Sequence, residues 1–199
     1  MTVDKDIWKE RFKSLPSWPC PRCNKGRLVE VEKSLLEAES PRSKDAHGFD
    51  EWDPTWIEKR FSVHFLCSDK ECGERVVAVG TVRGDYDNYY EHDGTTGTEV
   101  WDWYHPAAIE PAPCIIQLSG GVPDDVAQEV RRASTLFWID LGASANKLRS
   151  AVEAMMTDLD IKRTTIVKGK RKPLPLAARI DMAKAKYPEV ISLHSVRWL

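Results

Sequence analysis

The sequence has no apolar run approaching the ~18 residues that a membrane-spanning helix needs. Its start, MTVDKDIWKERFK, lacks the apolar core of a signal peptide. Together these absences predict a cytoplasmic protein with no membrane partner. Glycine-rich phosphate loops are missing too: neither Gly120-Gly121 nor Gly94…Gly97 has the combined flanking pattern of strand and helix that would make a cradle. A GxSxG elbow is likewise absent, and together these absences disfavour most classical cofactor enzymes. Cysteine is sparse and odd in number, five in 199 residues, which argues against a disulfide framework in a reducing compartment.

What is present divides near residue 120. Residues 1–119 carry 15 Lys and Arg against 22 Asp and Glu, whereas residues 120–199 carry 14 against 9. The second part is therefore the more hospitable to an anionic partner. Residues 27–36, 60–67 and 74–83 are rich in β-branched or alternating apolar side chains and predict strands. Residues 37–56 and 85–97 read as exposed loops. Residues 104–113, with three prolines, read as an extended linker.

From Pro123 the period becomes helical, with Val126, Val130, Ala133, Phe137 and Leu141 on one face up to a break at Gly142. A second helix opens at Ser144 with Leu148, Val152, Met155 and Leu159 on its stripe. Residues 161–175 read as a basic connector, followed by a third helix over 176–186 and a fourth over 189–199. Four helices joined by short links predict an antiparallel bundle.

The sharpest chemical signal is Cys20-Pro-Arg-Cys23, with Gly26 close behind, and Cys67-Ser-Asp-Lys-Glu-Cys72, with Gly73 directly after. Each pair can fold as a knuckle that points two thiolates at one ion, the glycine permitting the tight turn. Four soft thiolates in a tetrahedron select Zn2+. Such a closed site leaves no position for water, so the metal would be structural. Four merely buried cysteines are the plainer alternative. Cys114, in an apolar run, reads as a small buried hydrophobe. His64 stands an odd number of strand positions from Cys67 and should face away from it. The eight tryptophans can stack bases or fill a thin core around the knuckles.

The second part holds three further candidates. Lys162, Arg163, Lys168, Lys170, Arg171 and Lys172 put six positive charges within eleven residues, either a phosphate clamp or a solvated loop. Arg149 and Glu153 are four apart on one helix, either a surface ion pair or a pair that positions a catalytic arginine. Arg197 shares an inward face with Val190 and Leu193, and needs a carboxylate, helix-end carbonyls or a ligand phosphate.

The run 106–199, with Ser144-Ala-Asn-Lys-Leu-Arg149-Ser-Ala-Val-Glu153, Leu176-Ala-Ala-Arg-Ile-Asp181 and His194-Ser-Val-Arg197-Trp-Leu199, resembles a bacterial family of unknown function in the HEPN superfamily. Members often carry an amino-terminal zinc ribbon resembling the Cys20, Cys23, Cys67 and Cys72 set. The resemblance implies an α+β protein: a small antiparallel zinc-ribbon module over 1–119, then a HEPN-like antiparallel helical bundle over 120–199 that commonly dimerises. Many HEPN proteins are metal-independent endoribonucleases of toxin–antitoxin or phage-defence systems. In that chemistry the ribose 2′-hydroxyl attacks phosphorus, a histidine serves as acid and base, and an arginine stabilises the phosphoryl charge. Arg197 matches the arginine of the family's Arg-Trp-Leu-Gly-Asn…His pattern, whose histidine would fall after Leu199. The expectation is thus a cytoplasmic homodimer that binds or cleaves RNA. Arg197, Arg149 and Glu153 would act at the cleft, and Lys168, Lys170, Arg171 and Lys172 would guide the RNA. The alternative is a non-catalytic scaffold for a nucleotide or a defence-system protein.

Overall fold

A computed structural model describes residues 5–90 and 94–188, the side chain of Tyr90 excepted. The fourth helix expected over 189–199, and Arg197 within it, lie outside the described residues. Two compact units divide the chain: Met1–Gln117 with Ser134–Leu141, and Leu118–Ala133 with Gly142–Leu199.

The first unit is built on a five-stranded antiparallel sheet. Its strands are β1 (Leu28–Glu30), β2 (Leu36–Glu39), β3 (Glu58–Cys67), β4 (Arg75–Tyr90) and β5 (Thr96–Glu110). The order is β1-β3-β4-β5, with β2 also on β3. Strict alternation along β3 buries Phe61, Val63, Phe65 and Cys67 while Arg60, His64 and Leu66 stay exposed. Those four join Trp18, Cys20, Leu28, Val76, Ala78, Val82 and Ile109 in one core. Trp18 is fully buried, with its ring edge-on to Phe12 at 5.8 Å and Phe65 at 5.6 Å. Its indole Nε1–H donates to the Ile7 carbonyl at 2.7 Å, so no polar atom of the ring is stranded.

Four sequence expectations for this unit are corrected. The strand expected over 27–36 is two strands, because Ser34 interrupts the backbone pairing. Its Oγ donates to the His64 carbonyl and accepts from the His64 N–H, both at 3.1 Å, and Lys33 beside it adopts φ 60°. The loop expected over 37–56 holds β2, a short helix α1 (Pro41–Ala46) capped by Ser40, and a 3-10 turn at Pro54–Trp56. The loop expected over 85–97 and the linker expected over 104–113 are mostly the long β4–β5 hairpin, paired from Val77↔Glu110 to Tyr90↔Thr96. Pro106 fits because the register shifts at Val79/Gly80. Gly80 is required there, since a Cβ would stand 2.1 Å from the His105 carbonyl oxygen.

The amino-terminal segment closes this sheet. Phe12 pairs with Tyr104 by two backbone hydrogen bonds of 2.9 and 2.8 Å. Arg11 bonds Asp85 with its guanidinium 4.4 Å from the Trp103 ring, and Lys13 bonds Asp87 with its ammonium 4.1 Å from Trp101. Each of these tryptophans thus has a cation of its own chain over its ring, although Trp101 remains exposed.

The second unit carries most of α2 (Asp124–Leu136) and α3 (Leu141–Asp158), then β6 (Thr164–Val167), β7 (Lys170–Pro173) and α4 (Leu176–Lys186). Asp124 and Asp125 sit in the first turn of α2, where the helix dipole favours them. This helix ends at Leu136, before Phe137 and Leu141, and Gly142 lies inside the first turn of α3 rather than breaking a helix. Ser144 donates to the Ala133 carbonyl at 2.8 Å, and Lys147 pairs with Glu129 at 3.2 Å, tying α3 to α2. Met156, Ile161 and Ala183 are buried together, with Val152, Leu159, Leu176 and Ile180 around them. The third helix falls at the residues expected. The basic connector does not: residues 164–173 form a two-stranded antiparallel hairpin.

Candidate metal centre

The β1–β3 register sets Leu28 opposite Cys67, and an isolated bridge sets Pro19 opposite Arg27. Each knuckle therefore hangs from sheet hydrogen bonds. Cys20 N–H donates to the Gly26 carbonyl at 3.0 Å, and Cys67 N–H donates to the Glu74 carbonyl at 2.9 Å. The two loops are also joined to each other. Ser68 N–H donates to the Arg27 carbonyl at 2.8 Å, and Arg27 N–H donates to Ser68 Oγ at 2.9 Å. Left-handed backbone at Asn24 (φ 53°) and Gly73 (φ 62°) turns each loop tightly, with residue types that tolerate it.

This scaffold brings Cys20, Cys23, Cys67 and Cys72 together, their four sulfurs all within 4.8 Å of one another. The Cys20–Cys72 and Cys23–Cys67 sulfurs are each 3.7 Å apart, and all four cysteines are free of disulfides. A tetrahedron with metal–sulfur bonds of about 2.3 Å has edges of about 3.8 Å. The donor set and spacing are compatible with a metal site. Backbone N–H groups complete the surroundings, with Gly26 donating to Cys23 Sγ and Asp69 to Cys67 Sγ, both at 3.4 Å. A Cβ at Gly26 would lie 2.4 Å from Cys67 Sγ, so the loop presses its backbone directly onto the sulfur.

Electrostatics separates the thiols. The Gly26 N–H, then the Lys25 N–H, lower Cys23 to about 6, so it is largely thiolate at neutral pH. Burial raises Cys67 to about 12 in the absence of a cation. A bound cation reverses that penalty, because it stabilises the thiolate that burial disfavours.

His64 faces away from the cluster and is exposed, as the strand period requires. Cys114 is half-buried, with the Ser134 hydroxyl 3.9 Å from its sulfur. Sequence reasoning missed Asp69, whose carboxylate accepts from Glu71 N–H at 3.1 Å and shapes the second knuckle. An Asp two residues after a cysteine was the available signal.

The other candidates lie in the second unit. Arg149 Nε and Glu153 Oε1 are 3.3 Å apart on α3, both well exposed. Lys168, Lys170, Arg171 and Lys172 sit on the β6–β7 hairpin, all exposed. Lys168 and Gly169, at φ 51° and 74°, form its two-residue turn. Among the described residues, no hydrogen bond or ion pair joins this hairpin to Arg149 or Glu153.

The first unit is thus an antiparallel sheet domain with a four-cysteine, metal-compatible cluster at one end. Residues 10–108, which include all four cysteines, match a family model described as a domain of unknown function (DUF8608). No curated protein and no solved structure matches the chain. The match ends before α2, α3 and α4, so the helical motifs of the HEPN resemblance have no counterpart in it.

Proposed function

We propose that Cys20, Cys23, Cys67 and Cys72 hold a structural Zn2+ in a ribbon-type module, and that the helical unit, HEPN-like, binds RNA phosphates through the β6–β7 hairpin. The observation that carries the RNA reading is the hairpin itself. Lys168, Lys170, Arg171 and Lys172 project from an exposed ribbon, and none has a carboxylate partner among the described residues. An unneutralised cationic ribbon attracts a polyanion by counterion release, without reading sequence. The excess of basic side chains over residues 120–199 acts in the same direction.

The setting that goes with this reading is a cytoplasmic homodimer in phage defence or a toxin–antitoxin pair. No helix among the described residues is long and apolar enough to cross a membrane. Cleavage, on the HEPN resemblance, would rest on Arg197. The control is Arg197→Ala: cleavage that survives chelators in the parent and is lost in the variant supports a metal-independent nuclease.

Binding is tested by replacing Lys168, Lys170, Arg171 and Lys172 with Gln and measuring single-stranded RNA affinity against salt. Each lost phosphate contact should flatten the log–log salt slope by about 0.7. An unchanged slope and affinity overturn the reading. The scaffold alternative then stands, supported by the groove of about 390 Å³ where Phe49 and Trp56 are exposed beside Arg42.

A further inference from the structure

Thr157, in the last turn of α3, is the meeting point of two arginines. Arg163 Nε donates to its hydroxyl oxygen at 3.0 Å, and Arg179 Nη2 does so at 3.1 Å. That hydroxyl already gives its own proton to the Glu153 carbonyl at 2.9 Å. One donor and two acceptor positions are thereby filled, and the oxygen is a saturated, neutral partner. Two guanidiniums converge on it, yet neither forms an ion pair with a carboxylate among the described residues.

Arg179 makes the imbalance acute. It is only 4% exposed, and its Nε is buried without any hydrogen-bond partner. Its Nη2 also donates to the Ile161 carbonyl at 3.3 Å, which explains one edge of the fork as a contact to the loop just beyond α3. That contact leaves the Nε unexplained, and it gives no reason for a second arginine on the same hydroxyl. A buried cation without an anion is costly, and like charges brought together add to the cost. A planar fork beside an exposed second fork is the arrangement that takes a tetrahedral oxyanion.

We propose that Arg163 and Arg179, aligned by Thr157, form a phosphate-binding site in the helical unit. The ligand is a phosphate group, carried either by a small phosphorylated molecule or by an RNA backbone. The proposal needs only the second unit's own residues and goes beyond the hairpin reading.

Full-length, zinc-loaded protein is titrated with inorganic phosphate, with chloride at matched ionic strength as control, while the arginine Nε–Hε resonances are followed by NMR. A saturable shift of the Arg179 resonance with phosphate and none with chloride is expected. Arg163 is exposed, so Arg163→Gln should fold normally and weaken phosphate roughly tenfold or more. Arg179→Lys keeps the charge without the fork and should weaken it similarly. An Arg179 resonance that phosphate moves no more than chloride, or wild-type phosphate affinity in Arg163→Gln, overturns the proposal. Displacement of phosphate by a single-stranded RNA assigns the site to the backbone, and displacement by a nucleoside monophosphate alone assigns it to a small ligand. The hairpin variant reads RNA affinity and Arg163→Gln reads phosphate, so failure of one reading is separable from failure of the other.

Discussion

At the scale of single residues, Gly26 shows how a sequence motif becomes geometry. Its lack of a side chain lets the first knuckle lie against Cys67 Sγ, and an added methyl would also meet Asp69 N at 2.9 Å. Both obstacles belong to the opposite knuckle, whose backbone is fixed by sheet hydrogen bonds. Gly26→Ala should therefore cost about 1–3 kcal/mol, as overpacking of a tight site does. It should also weaken metal binding about tenfold or more, as changes next to ligands do. Metal content after dialysis and thermal melts of the two proteins measure both. Asp53 offers a residue-scale test of electrostatics. The Thr55 hydroxyl, then the Tyr86 hydroxyl at 2.6 Å, holds its carboxyl below the usual carboxylate range. A depressed carboxyl adds stability above its unfolded value, about 4, and that stability is lost as pH falls through the lowered folded value. Asp53→Asn should thus melt lower than the parent near neutrality, and the two should converge in acid.

At the scale of elements, the helices were more legible than the strands. α4 falls where its periodicity puts it, and β3 is plain from its alternation of Phe61, Val63, Phe65 and Cys67. The long β4–β5 hairpin was hidden because its outer half is not apolar. Tyr86, Tyr89, Trp101 and their acidic neighbours resemble loop composition, and pairing across the ribbon holds them extended. Tyr89 lies over Gly97, filling the space that the glycine leaves in the opposite strand. Prolines concealed the end of β5 for a similar reason, since only the partner's Gly80 and the register shift there make room for Pro106. The basic hairpin is the same case again. Thr164–Val167 is β-prone, but a ten-residue ribbon of mostly polar side chains is marginal from its own sequence. Its charges make the salt-slope experiment an element-scale prediction, because substituting the ribbon leaves the cores of both units untouched.

At the scale of the whole molecule, the two units differ in what holds them. The first closes its core at the cysteine end, where Cys20 and Cys67 are themselves core residues. The second has its own cluster around Met156, Ile161 and Ala183. A chelator should therefore lower the melting of the sheet unit while the helical far-UV signal keeps its transition, and added Zn2+ should restore the first. Coincident loss of both signals would refute that separation. The sequence by itself determined the four ligand candidates, the charge asymmetry and the place of α4, because spacing, charge and a 3.6-residue period are local properties. Only the tertiary structure decided that the acidic aromatic stretch is a paired ribbon covered by Arg11 and Lys13, and that Arg163 and Arg179 meet on one hydroxyl. The contacts of Arg11 and Lys13 join residues 74 apart and that of Arg179 with Thr157 residues 22 apart, and no local pattern encodes which distant side chain will supply the partner.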